Sequence, residues 1–407
     1  RGGEMDVIES MGSTASAPAR AALLYDPRVR ALVSQVLLVL VVVWLGYEIV
    51  NNAIINLEKQ QIASGFGFVS NTAGFNIAPS LGTYLTGYEV DSSYGMAFWV
   101  GLYNTLLIAF LGIILATIWG FILGIARLSS NWVIRSLSTV YIEVLRNVPL
   151  LLQIFFWYFA VLRSLPNPRN SVEFGAGIFL NTRGLYAPRP IPAALLSFTG
   201  YAFVIGIVVS FLIHRWARKR QDETGEQFPI FLTSLGLIVG FPILVFLVTG
   251  LPLTWQVPEL KGFNFVGGMV IIPEFVSLLL ALALYTAAFI AEIVRAGILA
   301  VSHGQTEAAH ALGLRQGLNL RLVVIPQALR VIIPPLTSQY LNLAKNSSLA
   351  VAIAYPDLVS VFAGTVLNQT GQAVEILLVT MGVYLTISIV TSIFMNWYNA
   401  RMALVER

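Results

Sequence analysis

The sequence contains no cysteine and only three histidines among its 407 residues. The absence of cysteine excludes disulfides, thiolate metal ligands and cysteine nucleophiles. The histidines, His214, His303 and His310, do not show the spacing of metal ligands. Because the chain also lacks a nucleophile elbow and a phosphate-binding glycine loop, we expect no metal site, no catalytic residue and no cofactor bound by this chain.

Charged residues are also scarce. They make up 11% of the sequence, whereas hydrophobic residues make up 57%. A soluble domain carries roughly 25% charged residues, so this chain has too few to cover a soluble surface. The net charge of +4 comes from basic residues that flank apolar segments, which favours a role in membrane orientation. We therefore expect the lipid bilayer as a partner and no nucleic acid.

Long apolar runs are abundant. A spanning helix needs about 20 mostly apolar residues, and about eight segments meet this requirement. We therefore predict an all-α integral membrane protein, with the seventh span broken by prolines. The predicted spans are Ala31–Val50, Phe98–Ala126, Ser138–Leu162, Ala194–Ile213, Ile230–Thr249, Phe275–Leu299, Val331–Leu349 and Glu375–Trp397.

Lysine and arginine fall mostly in one alternate set of loops. This asymmetry predicts that both termini and the loop between the sixth and seventh spans are cytoplasmic. The two long outside segments, Asn51–Ala97 and Arg163–Pro192, are rich in Gly, Pro, Asn and Ser. We interpret both as irregular loops with at most a short helix. The charged stretch Arg215–Glu226 is interpreted as a solvated anchor on the inside.

The predicted cytoplasmic loop carries a spaced pattern: Glu307-Ala308-Ala309, three residues, Gly313, nine residues, and Val323-Val324-Ile325-Pro326. Alanine and leucine favour a short helix, and Glu307 suits its positive end. The small side chains of Ala308 and Ala309 allow another protein to close over the backbone. Gly313 would end this helix, and Pro326 would begin the next span. The pattern predicts a small rigid knob.

This pattern resembles the EAA signature of ABC importer permeases, with Ile325 where leucine is usual. Other segments resemble the polar amino acid (His/Glu/Gln/Arg/opine) family of these permeases. The resemblance runs from about Phe98 to the end, apart from Arg163–Ile272. The matching segments are Arg146–Gln153 (RNVPLLLQ), Ala291–Ile298 (AEIVRAGI), Gly304-Gln305, Leu312–Leu314, Pro326–Arg330 (PQALR) and Lys345–Leu349 (KNSSL).

The resemblance implies a type I ABC importer (MetI-like) core of five spans and a permease subunit that takes up L-amino acids. The extra spans make the chain similar to the larger membrane subunit of a general L-amino acid importer in the inner membrane of Gram-negative bacteria. Such a permease is not itself an enzyme, since ATP and Mg are bound by its ATPase. The implied partners are a homologous second permease in a heterodimer, two ABC ATPase subunits, a periplasmic amino acid-binding protein and the L-amino acid substrate.

The resemblance also divides the chain into segments, and it assigns contact with the ATPase to Glu307, Ala308, Ala309, His310 and Gly313. The predicted segments are a cytoplasmic 1–30, an extra first span 31–50, a periplasmic loop 51–97, the first part of the core 98–162, an insertion with two extra spans 163–272, the second part of the core 273–400 with the EAA loop 301–326, and a cytoplasmic tail 401–407.

Polar residues within the spans are candidates for the substrate pathway. An amino acid brings a carboxylate and an ammonium group, so its path needs donors and acceptors together. The candidates are Gln153, Asn342, Lys345, Ser347 and Ser348. For Gln153 and Asn342, a hydrogen bond between helices is an equally good interpretation.

Two pairs of opposite charges lie three residues apart, Glu143 with Arg146 and Glu292 with Arg295. This spacing places both members on one helical face. We interpret each pair as an anchor between helices or as part of a gate, because charges within a span are costly without a partner.

An ion-coupled secondary amino acid transporter is the alternative. That class often shows two similar halves and acidic residues in mid-span, and neither feature is clear in this sequence. It would also leave the predicted knob without a function.

Overall fold

The computed structural model describes residues 27–59 and 65–402, which fall into two units divided after Ser64. The described part of the first unit is one helix, α1 (Pro27–Lys59), and the side chains that the structure describes in it are almost all exposed. It contains the predicted first span. Most of the predicted terminal segments 1–30 and 401–407, and residues 60–64 of the predicted periplasmic loop, lie outside the described residues.

The second unit is mostly helical. In the described residues, seven helices are long and apolar enough to cross a membrane, or eight if a bent pair counts as one span. This confirms the predicted fold class. Its helices are α2 (Leu81–Thr86), α3 (Tyr94–Ala126), α4 (Trp132–Asn147), α5 (Leu150–Phe155), α6 (Leu196–Thr224), α7 (Ile230–Leu235), α8 (Phe241–Val248), α9 (Pro273–Leu299), α10 (His303–Ala311), α11 (Gln316–Asn319), α12 (Ile325–Asn346), α13 (Leu367–Thr370) and α14 (Ala373–Met402).

The core is built around α3 and α9, which pack through small residues. A Cβ atom on Gly120 would lie 2.6 Å from the Cβ of Ile290, and one on Gly124 would lie 2.6 Å from the Ala291 carbonyl oxygen. Small residues allow two backbones to approach closely where lipid supplies no hydrophobic force between helices. Helix α12 packs on both α9 and α14, and together they bury residues such as Leu282.

The predicted third span is not one continuous helix but a bent pair of helices, and the sequence analysis did not predict the bend. Helices α4 and α5 meet at an angle of 108°. Val148, the residue before Pro149, has an extended backbone (ψ 128°), as proline imposes on its predecessor. After α5 the chain continues as a π-helix, Phe156–Val161.

The predicted break in the seventh span is wrong, because α12 remains helical through Pro334 and Pro335. The helix changes type only at Ser347, where a 3₁₀-helix (Ser347–Ile353) begins. We call residues 347–372 the linking segment, since they join α12 to α14. This segment contains a turn at 354–358 and a π-helix, Val359–Val366.

The insertion contains sheets that the sequence did not predict, so the interpretation of Arg163–Pro192 as an irregular loop was wrong. A four-stranded antiparallel sheet has the order β1-β2-β3-β8, and β4–β5 and β6–β7 are two separate pairs. The strands are β1 (Val172–Gly175), β2 (Ile178–Asn181), β3 (Gly184–Ala187), β4 (Arg189–Pro192), β5 (Leu253–Gln256), β6 (Glu259–Lys261), β7 (Asn264–Val266) and β8 (Met269–Ile271).

Between β4 and β5 the chain forms a helical hairpin of α6 and α7–α8. A Cβ atom on Gly206 would lie 2.2 Å from the Leu237 carbonyl oxygen, and the Ser210 hydroxyl donates to Ser234 Oγ at 2.7 Å. These two predicted spans therefore pack on each other. Strand β8 leads directly into α9, and α9 leads into the EAA loop, so the sheet and the EAA loop lie at opposite ends of α9.

Candidate functional site

The EAA loop folds into a short helix with a defined end. Helix α10 stops at Ala311, and Gly313 adopts the left-handed conformation with φ 76°. The amide of Gly313 donates to the His310 carbonyl at 2.9 Å, and the amide of Leu314 donates to Ala309 at 3.1 Å. Such bonds satisfy the last carbonyls of a helix and favour glycine at this position. Pro326 lies in the first turn of α12, as its position in the sequence predicted.

The predicted coupling residues do not share one environment. Glu307, Ala308, His310 and Gly313 are exposed, but Ala309 is buried within this chain (4% exposed). The small side chain of Ala309 therefore lets α10 pack on its own loop and does not face outward. Glu307 Oε1 lies 3.0 Å from His303 Nδ1 on the preceding turn.

Sequence reasoning missed Leu312, whose side chain is 82% exposed at the tip of this loop. Its apolar surface adds to the outward face of α10. Its place directly before Gly313 was visible in the sequence, but apolar residues near glycine are too common to identify it.

A cluster of charges connects the core helices near the EAA loop. Arg295 Nη2 donates to Glu292 Oε1 at 2.6 Å, so the predicted pair within α9 forms. Arg127, at the end of α3, donates to Glu292 as well and to Glu143 Oε1 at 3.2 Å. The cluster therefore ties α3, α4 and α9 together two turns before α9 enters the EAA loop.

The second predicted pair does not form. Glu143 accepts from Arg127, while the guanidinium of Arg146 lies 5.3 Å from the centre of the Phe289 ring. Sequence reasoning missed Arg127, which it counted only among the basic residues that flank the apolar segments. Its role depends on contacts with residues far away in sequence, and spacing within one helix cannot reveal these.

An open cavity of about 550 Å³, with a mostly apolar lining and a few polar groups, lies between the end of α12, the linking segment and α14. Lys345 and Ser348, both predicted for the pathway, lie on its wall. The cavity has an apolar side formed by Val359, Met381 and Leu385. Three hydroxyl groups on α14 complete the wall, those of Thr380, Tyr384 and Ser388. They lie four residues apart, a spacing on one helical face that the sequence displayed but that was not used.

The other predicted pathway residues lie elsewhere. Asn342 is exposed on α12, and the Ser347 hydroxyl is buried and donates to the Ala344 carbonyl at 2.7 Å. Gln153 Nε2 donates to the carbonyls of Leu145 (2.9 Å) and Val148 (3.0 Å), which ties α5 to the end of α4 across the bend. Its Oε1 is buried without a hydrogen-bond partner among the described residues.

The buried carboxyl group of Asp357 contacts a residue of the cavity wall. Asp357, in the turn of the linking segment, is 1% exposed; its Oδ1 accepts from the Ser360 amide at 2.8 Å. Its Oδ2 accepts from the Tyr384 hydroxyl at 3.4 Å. Burial raises the pKa of Asp357 to about 7, because a charged carboxylate loses its hydration there. Since Tyr384 lines the cavity, it connects the cavity wall to this carboxyl group.

Comparison with known proteins identifies the family. Residues 112–404 match the family described as binding-protein-dependent transport system inner membrane component. The general L-amino acid transport system permease protein AapQ of Rhizobium johnstonii is 55% identical, over 94% of this chain and 95% of the relative. The putative amino-acid ABC transporter permease protein YhdX of Escherichia coli is 53% identical, over 94% of this chain and 96% of the relative.

A third relative is more distant. The glutamate/glutamine/aspartate/asparagine transport system permease protein BztB of Rhodobacter capsulatus is 41% identical, over 95% of this chain and 96% of the relative. All three matches span both the core and the insertion. The chain therefore belongs to the family of inner-membrane components of binding-protein-dependent transport systems, and it is a permease subunit of an ABC importer.

Proposed function

We propose that this permease takes up L-amino acids and that a separate ABC ATPase drives it through the EAA loop. The observation that carries the proposal is the exposed helix α10, held in a fixed shape by the left-handed Gly313. Rigid presentation of a helix reduces the conformational entropy that a partner must remove on binding. The names of the relatives support amino acids as the substrate class.

The assembly we propose follows from this role. Two ABC ATPase subunits bind ATP and Mg and contact Glu307, Ala308, His310 and Gly313, while a homologous second permease forms a heterodimer with this chain. A periplasmic amino acid-binding protein delivers the substrate at the sheet end. We place both termini and the EAA loop in the cytoplasm, since arginine and lysine concentrate there, and the whole assembly in a Gram-negative inner membrane.

Closure of the ATPase subunits would press on α10 and move the inner ends of the core helices. The cluster of Arg127, Glu143, Glu292 and Arg295 supports this step, because it joins three helices near the point where the force enters. We assign to this cluster the role of a set of ion pairs that exchange partners as the spans move between the outward-facing and inward-facing states. Arg146 packs against Phe289 beside it.

The cavity beside α14 is the proposed substrate site of this subunit. The Lys345 ammonium group suits the substrate carboxylate, and the hydroxyls of Ser348, Thr380 and Ser388 supply further hydrogen bonds. The apolar wall suits a side chain. Gln153, Asn342 and Ser347 stay predictions for other stages of the path, since they do not line this cavity.

The test replaces Gly313 by Asp, which is strained at a positive φ. We expect the variant to reach the membrane but to lose co-purification of the ATPase and amino acid uptake. Gly304→Asp is the matched control, because Gly304 lies in the first turn of the same helix with open space around it. An acidic residue there suits the helix dipole, so uptake should be kept.

Normal uptake by Gly313→Asp would contradict the role of the EAA loop. Uptake by the purified chain in liposomes under an ion gradient, without ATP or an ATPase, would instead support the secondary transporter.

A further inference from the structure

Asn104, a fully buried residue of α3, uses all of its carboxamide groups to join two separate segments. Its Nδ2 donates to Ser80 Oγ at 2.9 Å and to the Pro356 carbonyl at 2.8 Å. Its Oδ1 accepts from the Gly82 amide at 2.9 Å. Oδ1 and Nδ2 together therefore hold the start of α2, and Nδ2 also holds the turn of the linking segment.

Helix α2 is attached in turn to the sheet of the insertion. The amide of Val270 in β8 donates to the Tyr84 hydroxyl at 3.2 Å, and the guanidinium of Arg189 lies 5.0 Å from the centre of the Tyr84 ring. The start of α2 is fixed by a capping box between Ser80 and Thr83. The sheet is therefore connected to Asn104 through one short, capped helix.

The turn of the linking segment leads to the cavity beside α14. Pro356 precedes Asp357, whose carboxylate accepts from the Tyr384 hydroxyl on the cavity wall. The turn is held on α3 by a second bond, from the Leu358 amide to Thr105 Oγ1 at 3.0 Å. Thr105 thus anchors the same turn from the next residue of α3, but among the described residues its side chain makes no hydrogen bond to α2.

We propose that Asn104 is a positioning residue that couples the sheet end of the permease to the wall of the cavity. A partner that displaces the sheet or α2 would shift the Pro356 carbonyl through one rigid amide and so move Tyr384. The partner on this face is the solute-binding protein, and in that respect the inference rests on the proposed function. The coupling itself is a property of this chain alone.

The coupling can be measured in the purified full-length chain in nanodiscs, without ATP or partners. Since the sequence has no cysteine, Ser388→Cys provides a single reporter thiol on the cavity wall. Tyr84→Phe removes the hydroxyl that accepts from β8 and so perturbs α2. The measured quantity is the change that Tyr84→Phe causes in the rate at which maleimide labels the Ser388→Cys thiol.

We expect Tyr84→Phe to change this rate at least about threefold when Asn104 is present, which is within the range of measured couplings. Asn104→Asp keeps the acceptor for Gly82 but loses the donor to Pro356, so the effect should fall to less than about 1.5-fold. Thr105→Val loosens the same turn without touching α2, so the effect should persist. Ser80→Ala removes one of the two bonds between Asn104 and α2 and should weaken the effect, which provides a second variant if Asn104→Asp does not fold.

Three results would overturn the proposal. They are no effect of Tyr84→Phe in the parent chain, the same effect with and without the Asn104 amide, or an equal loss with Thr105→Val. Because no transport is measured, such a failure is distinct from failure of the proposed function, for which amino acid uptake by the parent chain in cells is the separate test.

Discussion

The core pair α3–α9 and the hairpin α6/α7–α8 use the same means of packing but are embedded very differently. Both place a glycine against the neighbouring helix, Gly120 in the core and Gly206 in the hairpin. In the apolar stretch of α9, 56% of the residues are buried, against 17% in α6 and 6% in α7–α8. Hydropathy alone therefore identifies a membrane span, but it does not tell whether that span is enclosed by other helices.

The ion pairs of the core and of the hairpin also differ in burial. In the core, Arg127 and Glu292 are mostly covered (18% and 26% exposed) and connect separate helices. In the hairpin, Lys219 and Glu223 are 3.7 Å apart, largely exposed and one turn apart on the same helix. Exposed pairs of this kind contribute little, because water screens them. Function is thus expected to depend on the core cluster and not on the hairpin charges.

The largest expected effect comes from filling the core contact. Gly120→Val adds a branched side chain where even a Cβ would meet Ile290, so we expect a loss of at least about 2 kcal/mol in the free energy of unfolding. Gly200→Val on α6 has open space around it and should change stability by under about 1 kcal/mol. Thermal unfolding in detergent, followed by fluorescence size exclusion, measures both. Equal destabilisation by the two variants would erase the contrast between core and hairpin.

An intermediate effect is expected from the charge cluster. Arg127→Gln removes a guanidinium that donates to two carboxylates. Uptake should fall about tenfold, because the cluster loses these charge-assisted hydrogen bonds. Arg127→Lys should recover only part of the rate, since lysine cannot serve both carboxylates with a planar fork. Lys219→Gln is the control and should leave uptake unchanged. If Lys219→Gln were as harmful as Arg127→Gln, the hairpin charges would take part in transport.

The smallest effect concerns backbone strain in the linking segment. Ala354 has φ 57°, a left-handed conformation that is unfavourable for any residue with a Cβ. Ala354→Gly should stabilise the folded chain by roughly 0.5 kcal/mol, because the relief of strain exceeds the added entropy of the unfolded chain. Leu251→Gly, at φ 55° beside the hairpin, tests the same strain outside the core. A loss of stability in Ala354→Gly would mean that its methyl contacts outweigh the strain.

The parts of the fold that follow from local pattern were predictable. Apolar length located the spans, and the spacing from Glu307 to Pro326 predicted a short helix that ends at a glycine. The bend at Pro149 was missed because proline permits both a kinked helix and a break, and packing decides between them. The sheet was missed because strands of three or four residues, separated by glycines, resemble loops in composition.

The charge cluster and the cavity were predictable only in part. Glu292 and Arg295 are neighbours on one helix, so their pair followed from spacing. Arg127 and Tyr384 gain their roles from segments far away in the chain, and one sequence gives no sign of which helices will meet. The partners of Asn104 lie more than 20 residues away in one direction and about 250 in the other. No local pattern predicts such contacts.

The pairing of β4 with β5 brings the two ends of the hairpin together. The Ala193 amide donates to the Pro252 carbonyl at 3.0 Å, directly where the chain leaves the sheet and returns to it. When strand pairing holds the two ends of an inserted segment together, the insertion lengthens the protein without changing the path of the chain on either side of it. The hairpin is therefore an insertion with fixed ends. A segment of another length could replace it between β4 and β5, and α9 would still begin in the same place.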